Sequence, residues 1–181
     1  MVDIRLARPE DAPAIARVHV AVWHTAYRGL IADALIDDVP VERRQAMWED
    51  ILTAYTETHP VLVAEDFGIG ICGFGNAGPM RGEEVLGYSG EFKTLYLLPA
   101  YQRRGLGRAM LCRLADLLLA RGHDAALAWV LASNPACGFF EAMGGMLCAQ
   151  RAAEGEEEAD APADLAYGWS DLAALAKLAW S

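Results

Sequence analysis

The feature that most constrains the fold is a change of rhythm between Glu91 and Leu131. A strand-like run from Glu91 to Leu98 stops at Pro99. From Arg104 to Arg121 the apolar residues Leu106, Met110, Leu114, Leu117 and Leu118 recur at three- and four-residue intervals, the spacing of a helix with one apolar face. Gly122 is a helix stop, and Ala125 to Leu131 resumes as an almost wholly apolar strand. A long helix between two strands favours a parallel pair near the centre of a mixed sheet.

The flanks agree with an α/β or α+β chain. Val2-Asp3-Ile4-Arg5-Leu6 alternates as a half-buried strand does. Pro9-Glu10-Asp11 opens a helix with Ala12, Ile15, Ala16, Val18, Ala21 and Val22 turned inward, and Gly29 ends or bends it. A second helix is predicted from Val41 to about Tyr55, with Pro40 in its first turn and Ala46, Met47 and Ile51 as inward positions. Val61 to Ala64 and Ile69 to Phe74 read as two strands of a hairpin turning at Glu65-Asp66-Phe67-Gly68. Asn134-Pro135 starts a helix that Gly144-Gly145 finishes, and Met146 to Ala149 returns as a strand. Six acidic residues then accumulate up to Asp164 with no lysine or arginine after Arg151, a solvated loop. Leu165 to Trp169 and Asp171 to Ala179 complete the chain as a strand and a short helix. There is no internal repeat and no linker, so residues 1–181 read as one domain covered by helices on both sheet faces.

Composition narrows the function. Hydrophobic residues make up 54% of the chain, enough for a core, and 25 acidic against 15 basic residues give a formal charge of −10, which argues against nucleic acid as a partner. No apolar run reaches the roughly 20 residues a membrane span needs, and the first residues lack a secretory pattern, so a soluble cytoplasmic protein is expected. Cys72, Cys112, Cys137 and Cys148 include no pair two residues apart, and the histidines form no short-range ligand pattern, so no metal is expected.

Against the acidic background, Ala100 to Gly122 carries five arginines and one aspartate. The turn Gln102-Arg103-Arg104-Gly105-Leu106-Gly107-Arg108 stands at the start of the long helix, where the first amides have no intrahelical acceptor and the peptide dipoles sum to a partial positive charge. This is a place for a phosphate. A nucleotide P-loop would end in Lys-Ser or Lys-Thr, and a dinucleotide fingerprint would have a third glycine where Met110 stands; both patterns fail here.

Gln102-Arg103-Arg104-Gly105-Leu106-Gly107 resembles the acyl-CoA pyrophosphate motif of the GNAT superfamily of N-acetyltransferases: Gln or Arg, two variable residues, Gly, a variable residue, then Gly or Ala. That family sets the motif after a strand ending in a Leu-Tyr-Val-x-Pro-like run, here Leu95 to Pro99. Asn134 to Gly145, with Phe139-Phe140-Glu141, resembles its second signature. Ile4-Arg5-Leu6-Ala7 with Pro9-Glu10-Asp11, and Trp23 to Gly29, also fit, so the likeness spans nearly the whole chain.

The resemblance implies a mostly antiparallel sheet of six to seven strands with one splayed parallel pair, and acetyl-CoA lying in the splay. It implies pyrophosphate on the amides of Arg103, Arg104, Gly105, Leu106, Gly107 and Arg108, with Gln102 in the same motif. Backbone groups of Leu95 and Leu97 would pair with the pantetheine amides as an added strand does, and Asn134 would meet the same arm. The implied activity is transfer of an acetyl group to the primary amine of a small molecule or peptide by direct attack on the thioester. Glu91 matches a commonly acidic position and is the candidate proton acceptor, through water; an amide on the central strand, at Leu97, would hold the oxyanion. Relatives commonly protonate the leaving thiolate with a tyrosine where this chain has Phe140, so Tyr101, Tyr167 or Ser133 would substitute, or the thiolate would leave unaided. Trp23, Tyr27, Trp48 and Trp129 could line an acceptor pocket or belong to the core. Phe140 also supports a second reading, a non-catalytic acyl-CoA sensor or partner-binding module, and the glycine turn a third, a nucleotide-binding protein. Look-alikes commonly dimerise through C-terminal strands, and Tyr167, Trp169 and Trp180 supply apolar material for a homodimer.

Overall fold

The computed structural model describes residues 1–30, 33, 36, 40–82, 85–152 and 163–178. Seven strands form one sheet in the order β1 (Val2–Leu6), β2 (Val61–Asp66), β3 (Gly70–Pro79), β4 (Gly90–Leu97), β5 (Ala126–Leu131), β7 (Ala163–Trp169) and β6 (Met146–Ala152). Every neighbouring pair is antiparallel except β4 with β5. The parallel pair anticipated from the strand-helix-strand rhythm is therefore the central one.

Helices cover both faces, which is why β2 is apolar at consecutive positions. On one face, α1 (Ala12–Ala26) and α2 (Val41–Ala54) bury Ile15, Val22, Trp48 and Leu52 against Val61, Val63 and Phe74. On the other, α3 (Leu106–Leu119) lays Met110, Leu111, Leu114 and Leu118 over Leu62, Phe92 and Leu97, with α5 (Leu172–Lys177) beside it. The short helix α4 (Ala136–Ala142) follows β5. Gly122 closes the C-terminal end of α3 region in the left-handed conformation, φ +84°, with His123 N–H returning to the Leu118 carbonyl.

Several expectations shift in detail. Ala21 and Ala46 are exposed, because α1 and α2 are rotated so that His19 and Trp48, larger groups, take the inward stripe. Pro40 stands before α2 as its N-cap, with ψ 145°, outside the first turn. The Glu65-to-Gly68 turn moves to Phe67–Ile69, since pairing continues to Asp66 and Gly70. Tyr167 and Trp169 are 4% and 5% exposed and belong to the protein's own core, so they offer no dimer surface. Trp180 and most of the acidic loop lie outside the described residues. No helix among the described residues is long and apolar enough to cross a membrane.

Candidate active site

β4 and β5 stay paired for two residues only, Gly90 with Ala126 and Glu91 with Leu127. From Phe92 onward the strands part, while β5 keeps full register with β7. On its other side β4 carries a bulge: Asn76 pairs with Thr94 and Ala77 with Phe92, leaving Lys93 as the extra residue. The splay opens a cleft of about 80 Å³ lined by Tyr27, Lys93, Thr94, Leu95, Tyr96, Trp129, Asn134 and Phe140 among others.

Along this cleft the backbone of β4 has polar groups that pair with no neighbouring strand. Leu98 N–H bonds to the Cys72 carbonyl, and antiparallel alternation then turns the N–H and C=O of Tyr96 and Thr94 toward β3. Those of Leu95 and Leu97 face the opposite way, into the splay. The Leu97 carbonyl accepts from Gln102 Nε2 at 2.9 Å, so the motif glutamine ties the loop to the strand end.

The loop follows a short helical turn at Pro99–Tyr101. Arg103 has φ 61° and Gly105 φ 82°, and Gly105 is the N-cap of α3. A left-handed φ is cheap only for glycine, so the glycine at 105 is what lets the chain turn into the helix. The first intrahelical bond is Ala109 N–H to the Gly105 carbonyl; the amides of Leu106, Gly107 and Arg108 precede it and point out of the helix end. Gln102, Arg103, Arg104 and Gly105 are exposed. Arg104 lies over the Tyr101 ring, 5.3 Å from its centre. Arg108 is turned elsewhere: its guanidinium donates to the Leu178 carbonyl beyond α5. Of the three loop cations, Arg103 and Arg104 are thus the exposed ones. A groove of about 200 Å³ between α3 and α5, at Asp116 and Lys177, is three helical turns from this loop and shares nothing with the cleft.

At the vertex of the splay, Glu91 is 3% exposed. Its carboxylate accepts from Arg81 N–H and from the Arg81 guanidinium, both at 2.9 Å, with Lys93 Nζ 3.8 Å away. Lys93 donates to the Pro79 carbonyl, and burial lowers its ammonium to about 8. Neither Arg81 nor Lys93 was singled out by sequence, although a lone lysine inside an apolar strand was a visible signal.

The far wall is aromatic. Tyr27 and Tyr96 hydroxyls are 3.2 Å apart, and burial raises both pKa values, Tyr96 well above the ordinary tyrosine value. Trp23 packs 5.0 Å from Tyr27. Trp48 is 1% exposed and purely core, whereas Trp129 lines the cleft with Arg151 stacked 4.1 Å over its ring. Asn134 lines the cleft and its Oδ1 accepts the Ala136 amide, the helix-start role. Phe140 reaches the cleft with its ring stacked on Tyr167. Of the substitutes for an acid, Tyr101 hydroxyl donates to Asp66, Tyr167 hydroxyl to Glu141, and Ser133 is exposed after β5. None of the three lines the cleft; the hydroxyl-bearing residues that do are Tyr27, Tyr96 and Thr94, whose Oγ1 donates to Asn76 Oδ1. No group of three His, Cys, Asp or Glu able to hold a metal ion occurs among the described residues.

Comparison with known proteins agrees with this geometry. Residues 68–153, which include β4, the loop and α4, match the family described as FR47-like protein. The chain is 34% identical over 180 residues to YuaI of Bacillus subtilis (strain 168), an uncharacterized N-acetyltransferase, covering 98% of both chains. It is 32% identical to the L-amino acid N-acyltransferase MnaT of Escherichia coli (strain K12), over 74% of this chain and 73% of that one. Among solved structures, the yncA acetyltransferase of Salmonella typhimurium, with its cofactor acetyl-CoA, superposes with a TM-score of 0.70 at 28% identity, over 95% of this chain and 94% of that one. A shared fold over nearly the full length, with the splayed pair and the cationic loop in place, makes this chain a member of the GNAT superfamily, an acetyl-CoA-dependent N-acetyltransferase.

Proposed function

We propose that the enzyme acetylates the primary amine of a small molecule by direct attack on the thioester. The observation that carries this is the splay of β4 from β5, which leaves cleft-facing amides at Leu95 and Leu97 next to a loop bearing Arg103 and Arg104. The acyl acceptors named for relatives are of small size: an L-methionine sulfoximine and L-methionine sulfone acetyltransferase of Salmonella typhimurium is 32% identical over 134 residues, and MnaT is named for L-amino acids.

Acetyl-CoA supplies an activated acyl group and a good leaving thiolate. The amides of Arg103 to Arg108, with the exposed side chains of Arg103 and Arg104, would hold its diphosphate at the helix start. Gln102 would position Leu97 through its carbonyl bond. Leu95 and Leu97 would take the pantetheine arm as a strand partner, with Asn134 beside it. The Leu97 amide would donate to the oxygen of the tetrahedral adduct.

A lysine-like amine has a pKa of about 10.4 and is mostly protonated at pH 7. Glu91, at the vertex, would take the proton through water. Its ties to Arg81 and Lys93 fix the carboxylate in place. Phe140 has no proton to give, and the thiolate leaves without help from that position. The test is release of free thiol from acetyl-CoA by the purified protein with a panel of small amines. Amine-dependent release with an N-acetyl product is expected. Binding of acetyl-CoA without release for any amine would overturn this reading in favour of a sensor.

A further inference from the structure

A cation on the apolar stripe of α2 has no acidic partner among the described residues. Trp48 and Leu52 are the buried residues of this helix, and Arg44 lies one turn before Trp48 on the same stripe, half-buried. Among the described residues its hydrogen-bonding contact is the weak acceptor Met47 Sδ at 3.7 Å, and no carboxylate pairs with it. Its guanidinium stands over the Trp23 ring, 5.1 Å from the centre. Burial lowers its pKa, and it interacts electrostatically with the Tyr96 hydroxyl. Charges removed from water are normally paired, because desolvation is costly otherwise.

A second donor nearby is also unsatisfied. Trp23 Nε1 is fully buried and completes no hydrogen bond, although it approaches the Tyr96 hydroxyl. Tyr27 and Tyr96 link both groups to the cleft that they line. A guanidinium, an indole N–H and a mutually hydrogen-bonded pair of hydroxyls therefore lie behind one wall of the cleft, and among the described residues no carboxylate accepts from the guanidinium or the indole. Burying donors this way is unfavourable unless an acceptor arrives.

We infer that Arg44, over Trp23 and beside Tyr96, recognises a carboxylate on the acyl acceptor, so that the substrates are small amines that also carry a carboxylate. This rests on the acetyltransferase reading above and adds the residue that sets acceptor choice. Arg44 is a specificity residue here and takes no part in proton transfer. The guanidinium fork suits a carboxylate better than a single charge would.

The experiment uses matched acceptors: L-leucine, L-methionine, L-phenylalanine and L-glutamate against their α-amides, with the wild-type protein, Arg44→Gln and Arg44→Lys. Amidation lowers the pKa of the amine, so without a carboxylate site the amides would react faster. Steady-state kinetics are read alongside calorimetric binding of each acceptor to the protein–CoA complex. The wild type is expected to favour at least one acid over its amide by about 10- to 100-fold in kcat/KM, mostly through KM. Arg44→Gln should bring that ratio to near or below one, with Arg44→Lys in between, and both variants should bind acetyl-CoA within twofold of wild type, which verifies folding. Equal or better use of all amides by the wild type, or an unchanged ratio in Arg44→Gln, overturns the inference. Calorimetry separates the two proposals: acid-selective, Arg44-dependent binding without turnover sinks the acetyl-transfer mechanism and keeps the carboxylate site. Turnover with no acid preference does the reverse.

Discussion

Lowering the pH from 7 to 5 should destabilise this protein through one side chain, His19. The imidazole is 4% exposed, ringed by Trp23, Trp48, Phe74 and Tyr96, and its Nδ1 accepts from Trp48 Nε1 at 3.1 Å. It must be neutral at Nδ1 to accept. Burial, and next the charge of Arg44, pushes its pKa from 6.5 down to about 3. The unfolded chain therefore binds a proton between pH 6.5 and 3 that the folded chain refuses, and stability falls as pH falls through that window. With those two pKa values, the linkage relation gives a loss of about 2 kcal/mol between pH 7 and pH 5. For a chain of this size that is a fall of roughly 4–8 °C in Tm. Asp11 and Asp66, whose pKa values are lowered, lose their contributions only below the ordinary carboxylate range. His59, also lowered by burial, titrates with the same sign, so the measurement is a comparison with His19→Gln, whose amide oxygen can accept from Trp48. Urea denaturation at pH 7, 6 and 5 should show the wild type losing about 2 kcal/mol more than His19→Gln. Parallel loss in the two proteins would refute the argument that His19 is held neutral by burial.

Three further outcomes test the site. Arg103→Glu with Arg104→Glu should weaken acetyl-CoA binding by about 10- to 100-fold with an unchanged denaturation midpoint, since both residues are exposed, an exposed ion pair is worth on the order of 0.5 kcal/mol, and reversing each charge counts twice; calorimetric titration at two salt concentrations reads it, and unchanged affinity removes the diphosphate from this loop. Glu91→Gln should reduce kcat by about 10²- to 10⁴-fold while acetyl-CoA binds as before, with the rate recovering as pH rises toward the amine's own pKa; a wild-type kcat at pH 7 would strip Glu91 of its role. Phe140→Tyr places a hydroxyl in the cleft on a ring already stacked on Tyr167 and should raise kcat; an unchanged rate and pH profile, with coenzyme still bound, means that thiolate protonation does not limit turnover.

The sequence by itself determined the element order, the parallel character of the central pair and the location of the cationic glycine turn, because each depends on local rules. Apolar residues at helical spacing from Leu106 to Leu118, Gly105 at a left-handed turn and Gly122 at a helix end express their conformations within a few residues. Glu91 was visible by its place before the motif. What only tertiary structure decided comes from contacts between distant segments. Glu91 is held by Arg81 across β3 and β4, and Arg108, grouped with the loop cations by sequence, turns to the Leu178 carbonyl 70 residues away. Tyr167 and Trp169, apolar enough for an interface, fill the core instead. The aromatic wall has the same origin: Trp23 comes from α1, Arg44 from α2 and Tyr96 from β4, with Tyr27 just beyond α1, and no periodicity within one element records that they meet. Helical and strand periods reveal which face of a segment is apolar, but the partner of a polar group on that face is chosen by packing.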